Sequence, residues 1–148
     1  MNTIEFNIEM PFRDWSDQTV YAFEGPKIDD TDHLLLMSID RVLRQNSIER
    51  FAQEKIRAIT ESLQSAEILR NQEITIPGGN PAFDFVIKWV IDDKSIKFRR
   101  HIFVIYQNRG FSVYCDFSKK SYRMLSHQFK SMIEHFFPGT YSAPQVLS

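Results

Sequence analysis

The run from residue 81 to residue 117 restricts what this chain can become more than any other stretch. Three strand-like segments, residues 82–91, 95–106 and 111–117, follow one another through two tight connectors, Asp92-Asp93 and Asn108-Arg109. Apolar and polar residues alternate along all three, the period of a sheet with two unlike faces. Two-residue hairpin loops at both connectors set the register. The first places Trp89 opposite Ile96, Ile87 opposite Phe98 and Phe83 opposite Ile102. The second places Tyr106 opposite Phe111, Val104 opposite Val113 and Ile102 opposite Cys115. Those pairs make one continuous apolar face. The other face then carries Asp84, Val86, Lys88, Lys97, Arg99, His101, Phe103, Ile105, Tyr114 and Asp116. A slip of one residue in either turn exchanges the faces.

Upstream, residues 3–10 alternate cleanly, with Ile4, Phe6, Ile8 and Met10 on one side, and predict a half-buried strand. Pro11 to Asp17 reads as a turn segment with Trp15 plugging the sheet end. Residues 19–23 and 33–41 predict two more strands, the second apolar on both faces and therefore central. Asn46 and Ser47 offer an N-cap, with Glu49 three residues after Asn46 as in a capping box, and Ile48, Phe51, Ala52, Ile56, Ile59 and Leu63 form a helical stripe behind them. Residues 66–76 return to an extended pattern and end in the turn Pro77-Gly78-Gly79-Asn80-Pro81. After the three-strand meander, Ser118 caps a last helix whose stripe is Tyr122, Leu125, Phe129, Met132, Ile133 and Phe136, and Pro138-Gly139 stops it. Residues 140–148 read as a loose tail. The order βββαββββα, with antiparallel strands and two amphipathic helices laid on the sheet, is α+β.

With 148 residues the chain fits one domain, and 13 Phe with 43% hydrophobic residues supply a substantial core. A net charge of −1 lacks the basic surplus of a nucleic-acid binder. The single cysteine, Cys115, cannot form an internal disulfide, and residues 1–10 have neither a basic nor an apolar leader region, so a cytoplasmic protein is expected. No run reaches the length of a transmembrane helix, so no stable membrane insertion is expected.

Catalytic patterns are sparse. In the register above, Asp84, His101 and Asp116 form a row across adjacent strands that could orient an imidazole as a base. No nucleophile stands beside it, and a hydrogen-bonded polar row on a half-exposed sheet is the plainer reading. The Gly-rich turn lacks the Lys and Ser/Thr of a phosphate loop. His33, His127 and His135 are scattered and read as surface residues. The sequence thus predicts no enzyme, no cofactor and no metal.

A family likeness rests on an ordered set of motifs. It comprises Pro11-Phe12-Arg13-Asp14-Trp15-Ser16-Asp17-Gln18-Thr19-Val20, the helix opening Asn46-Ser47-Ile48-Glu49-Arg50-Phe51-Ala52, the turn Gly78-Gly79-Asn80-Pro81-Ala82 and the closing Phe136-Phe137-Pro138. Together these resemble the DcrB-like family, whose fold is PsbP-like, and within it the Eag chaperones of type VI secretion effectors. The resemblance spans residues 4 to about 138, a single domain, with Arg99, Arg100 and His101 standing where a Gln-containing stretch is expected. It implies a homodimeric cytoplasmic chaperone that shields the N-terminal transmembrane helices of an effector, often next to a PAAR domain, before export. The binding residues expected on that basis are Val20, Ala22, Val86, Arg99, His101, Phe103, Ile105 and Tyr114. The alternative is a non-catalytic DcrB- or PsbP-like module that binds a protein or small ligand with no role in secretion.

Overall fold

The computed structural model describes residues 19–41, 43, 47–92 and 95–138. The expected strand at 3–10, the Trp15 plug and the tail at 140–148 lie outside these residues. Within them, the strands β1 (Val20–Glu24), β2 (Leu34–Asp40), β3 (Glu67–Thr75), β4 (Pro81–Asp92), β5 (Ser95–Tyr106) and β6 (Arg109–Ser118) form one antiparallel sheet in the order β1-β2-β6-β5-β4-β3. Helix α1 (Ile48–Ser62) separates β2 from β3, and α2 (Lys119–Glu134) follows β6. This is the α+β architecture expected, a mostly antiparallel sheet with two amphipathic helices.

The helices take opposite faces of the sheet. Phe51, Ala52 and Ile56 of α1 pack on Phe83, Phe85, Ile87 and Phe103. Leu125, Phe129 and Ile133 of α2 pack on Ala82, Ile102, Val104, Phe111, Cys115 and Phe117. Consequently β4 and β5 are buried on both sides through their middles, where residues 82–87 and 101–104 are all inaccessible. Each helix begins where a serine can satisfy its free N–H groups. Ser47, one of the two cap candidates in the sequence, accepts from the Arg50 N–H at 3.4 Å and caps α1. Ser118 and Ser121 of α2 bond reciprocally, Ser121 N–H to Ser118 Oγ at 3.1 Å and Ser118 N–H to Ser121 Oγ at 2.9 Å.

Both hairpin registers differ from the expected ones. Between β4 and β5, Val90 faces Ile96 and Asp92 faces Ser95, so Ile91 is an extra residue bulged out of the ladder. The bulge moves the pairing by one, and Phe83 meets Phe103 instead of Ile102. One residue reverses a strand's faces. Phe83, Phe85, Ile87 and Trp89 therefore join His101 and Tyr114 beneath α1, while Asp84 and Val86 turn to the other side. The continuous apolar face expected from the sequence is thereby split between the two layers. Between β5 and β6, Tyr106 pairs with Arg109, which makes Gln107-Asn108 the loop. Both loop residues have positive φ, 49° and 59°, as a type I′ turn demands. Asn108 suits that conformation and lies in the loop under either register, whereas Gln107 takes the place expected for Arg109, which starts the strand. The register moves by two, and the faces are kept.

Gly110 lets α1 settle. A Cβ there would fall on the Phe51 ring and within 2.9 Å of a Leu43 methyl carbon. Gly110→Ala is expected to cost about 1–3 kcal/mol by overpacking, read as a lower denaturant midpoint with an unchanged slope.

Candidate functional site

The two helices are offset. Helix α1 rests chiefly on β4 and β5, and α2 on β5 and β6. On the α1 side the sheet therefore continues past the helix, across β6, β2 and β1. Pairing aligns Tyr114 with Leu36 and Leu36 with Ala22, and one row along it aligns Ser112 with Ser38 and Ser38 with Val20. Val20 is 56% exposed and Leu34 is 49% exposed on this same face. It is a largely apolar sheet surface with Ser38 set among the aliphatic side chains, Ser112 buried beside it and Glu24 at its end next to Leu34.

At its border with α1 the surface carries two anchored cations, Lys55 of α1, paired with Asp40 at 2.9 Å, and Arg99 of β5. Arg99 donates from Nη2 to Asp116 Oδ2 at 3.0 Å and from Nε to Oδ1, a bidentate pair between directly opposed residues of β5 and β6. The guanidinium carbon lies 4.6 Å from the Tyr114 ring centroid and 5.4 Å from that of Trp89. Burial works against the charge, but the hydrogen bond and charge of Asp116 outweigh it, so the Arg99 pKa stands above its ordinary value.

Behind Arg99 lies His101, only 4% exposed. Its ring stacks on Tyr114 at 4.5 Å, meets Phe85 edge-on at 6.2 Å and tilts against Phe103 at 5.0 Å. Both ring nitrogens are buried and lack a hydrogen-bond partner among the described residues. Burial, and secondarily the positive charge of Arg99, push the imidazole down to about 3. A neutral ring sealed among aromatics is not placed to exchange protons with a substrate.

Seven of the eight expected binding residues share this face: Val20, Ala22, Arg99, His101, Phe103, Ile105 and Tyr114. Val86 lies on the opposite face and is buried. Phe103 is wholly enclosed, edge-on to Phe51 of α1 at 6.0 Å, and Ile105 is half-buried against the same cluster. Val20, Ala22, Arg99 and Tyr114 are thus the members within reach of a partner. Sequence reasoning omitted Leu34, Leu36 and Ser38, although their even parity along β2 places them beside Ala22 and Tyr114, and it placed Trp89 on the wrong side.

The Asp84–His101–Asp116 row does not form, because the bulge sends Asp84 to the α2 face. There it is clamped by two arginines: Arg70 Nη1 donates to Oδ2 at 3.0 Å, and Arg100 donates from Nε to Oδ1 at 3.3 Å and from Nη2 to Oδ2 at 3.1 Å. Cys115 faces the α2 core, where burial and then the Asp116 charge push its thiol up to about 12. His33, expected at the surface, is buried, with its Nδ1 2.8 Å from the Pro26 carbonyl oxygen. Among the described residues no group of three His, Cys, Asp or Glu side chains converges to hold a metal ion. No described helix is long and apolar enough to cross a membrane.

The depressed His101 pKa makes a signed prediction. Between about pH 3 and 6.5 the unfolded chain binds a proton that the native His101 does not, so stability falls as pH falls through that window. From pH 7.5 to 5 this residue alone is expected to remove about 2 kcal/mol. Paired denaturant titrations check it: His101→Phe should show a pH dependence shallower than wild type by that amount.

No protein-family profile matches this chain, and no curated protein matches it. Solved structures do. The crystal structure of PA94, a protein of unknown function from Pseudomonas aeruginosa, superposes with a TM-score of 0.75 at 14% identity over 94% of this chain and 95% of that one. The Ran-binding protein Mog1p of Saccharomyces cerevisiae aligns with a TM-score of 0.48 at 15% identity, over 78% of this chain and 69% of its own. At 14% identity the likeness to PA94 is one of fold, and it agrees with the α+β arrangement of an antiparallel sheet and two helices expected from the sequence.

Proposed function

We propose that this protein is a non-catalytic binding module, and specifically a chaperone of the Eag type that holds the apolar N-terminal helices of a type VI secretion effector before export, working as a homodimer in the cytoplasm. The observation that carries the reading is the sheet surface beyond α1, where Val20, Ala22, Leu34 and Leu36 lie side by side with Arg99 and Tyr114 at the border. A transmembrane segment of about 20 apolar residues cannot remain exposed in water without aggregating. A partner that shields it must offer apolar area with only a few polar groups to orient the helix. This face has that composition. Its central charge is held in the Arg99–Asp116 pair, Glu24 and the Lys55–Asp40 pair lie at its margins, and Ser38 supplies a hydroxyl within the aliphatic field. Apolar burial contributes roughly 25 cal/mol per Å², less the entropy of ordering both partners. The resemblance of the four sequence motifs to the Eag chaperones supports the choice of partner.

Co-expression with the N-terminal segment of the effector encoded beside it tests the reading, with size-exclusion chromatography and light scattering as the readout. The segment is expected to become soluble and travel with two copies of this chain. Val20→Asp with Ala22→Asp places two charges on the exposed part of the surface. It should abolish the rescue, a loss of at least about tenfold in retained segment, while the variant keeps its melting temperature. A segment that stays insoluble beside a monomeric, folded chain refutes the secretion role and leaves a module for another protein or a small ligand.

A further inference from the structure

We infer that the cleft between β3 and α2, on the sheet face opposite the apolar surface, is a docking groove for an acidic peptide segment that alternates carboxylate and apolar side chains. The cleft has a volume of about 680 Å³. One wall is α2, which presents Arg123, His127, Lys130 and Glu134, residues spaced i, i+4, i+7 and i+11 along one stripe. The other wall is the sheet, which presents Arg70 from β3 and Arg100 from β5. Ile74, Ile76 and Ile133 supply apolar lining between them.

The charge balance does not close inside the groove. Four fixed cations, Arg70, Arg100, Arg123 and Lys130, face two carboxylates, Asp84 and Glu134, an excess of +2 in a chain whose net charge is −1. Asp84 holds two guanidiniums at once, yet Arg70 spends only one of its five N–H donors there and Arg100 only two. The Lys130–Glu134 contact is loose, 4.0 Å between exposed groups. Arg123 has no ion-pair partner among the described residues and also lines a shallower depression with Lys119 and Lys120. Helix stability does not explain this charge, because the first turn of α2 contains no acid and begins with two lysines at the positive end of the helix dipole.

Dimensions select a peptide over a small anion. From residue 70 to 75 the strand runs about 17 Å, and from 123 to 134 the helix runs about 16 Å. Arg123 and Lys130 stand about 10 Å apart along the helix axis, too far for one phosphate to bridge, whereas carboxylates on alternate residues of an extended chain recur about every 7 Å, a difference of about 3 Å that the long Arg and Lys side chains can take up. β3 is the sheet edge among the described residues, so a chain can enter the groove from the side.

Fluorescence anisotropy with the full 148-residue chain tests this directly. The probe is a fluorescein-labelled peptide alternating glutamate and leucine, with a lysine–leucine peptide as control and tripolyphosphate as competitor. The glutamate peptide should bind, the lysine peptide should bind at least about tenfold more weakly, and raising salt from about 50 to about 300 mM should weaken binding several-fold. Arg123→Glu with Lys130→Glu, both at exposed positions, should lose at least about tenfold in affinity with an unchanged melting temperature. Val20→Asp with Ala22→Asp should bind the glutamate peptide as wild type does, which separates this groove from the apolar surface. The inference is overturned if the glutamate peptide does not bind, or if the Arg123/Lys130 variant holds it as tightly as wild type. It is equally overturned if tripolyphosphate occupies the groove while the peptide does not, which would make it a phosphate site.

Discussion

The direction in which β4 faces decides most of what this structure can do. Its middle, residues 82–87, is buried on both sides, so each side chain must suit one of two different helices. Phe83, Phe85 and Ile87 meet α1, while Ala82, Asp84 and Val86 point the other way. The side-chain period of a strand is two, so no intermediate arrangement exists. The bulge at Ile91 selects this one. In the alternative, Asp84 would lie under the aromatic layer with His101, away from Arg100. A buried carboxylate without its partner costs several kcal/mol, as does the guanidinium left behind, and Arg100 and Asp84 are respectively 11% and 4% exposed at the side chain. The two-sided electrostatics of the sheet therefore depend on one extra residue near a hairpin tip.

Much of the architecture was legible in the chain itself. The alternation in β4, β5 and β6, the apolar stripes of α1 and α2 and the glycine turn at 78–79 all carry local signals, and each element stands where those signals place it. The registers were not legible, for two separate reasons. A bulge such as Ile91 leaves no mark in an alternating pattern, because the residues on either side still alternate. The β5–β6 turn lacks the Asn-Gly pair that normally announces a type I′ loop; Gln107-Asn108 adopts it, and because Asn108 belongs to the loop in either register, no local preference separates Gln107 from Arg109 as its neighbour. The consequence for the site follows by parity. A shift of two between β5 and β6 left Arg99, His101, Phe103, Ile105 and Tyr114 together. A shift of one between β4 and β5 carried Val86 away from them.

The offset of the helices explains why open surface remains on both sides of a sheet that is well buried at its centre. Helix α1 is centred on β4 and β5, and α2 on β5 and β6. Each leaves part of its own face free, toward β1 on one side and toward β3 on the other. The two free areas differ in chemistry because the strands beneath them do. The β1–β2 side is mostly aliphatic with scattered hydroxyls and Glu24 at its margin, whereas the β3 side is charged along a strand that is the sheet edge among the described residues. Charged residues on an edge also deter uncontrolled strand pairing, so Arg70 and Glu73 suit that position whatever binds beside them.

Arg99 shows how a surface can hold a charge and still suit an apolar partner. An isolated guanidinium facing a hydrocarbon helix would lose its hydration with nothing in return. Here Asp116 takes two of its N–H groups, and the rings of Tyr114 and Trp89 lie against its carbon. The pair is close to neutral when seen from a distance, yet three N–H donors of the guanidinium lie outside that bidentate contact. They can reach a carbonyl freed at a helix end or a serine on a bound helix without bringing a bare charge into the contact. His101 fits the same logic from beneath, because a ring that stays neutral to about pH 3 adds aromatic area under Tyr114 without adding repulsion to Arg99. On the proposed function, then, Arg99 supplies direction and the aliphatic strands supply area, and the Arg99–Asp116 pairing keeps the first from weakening the second.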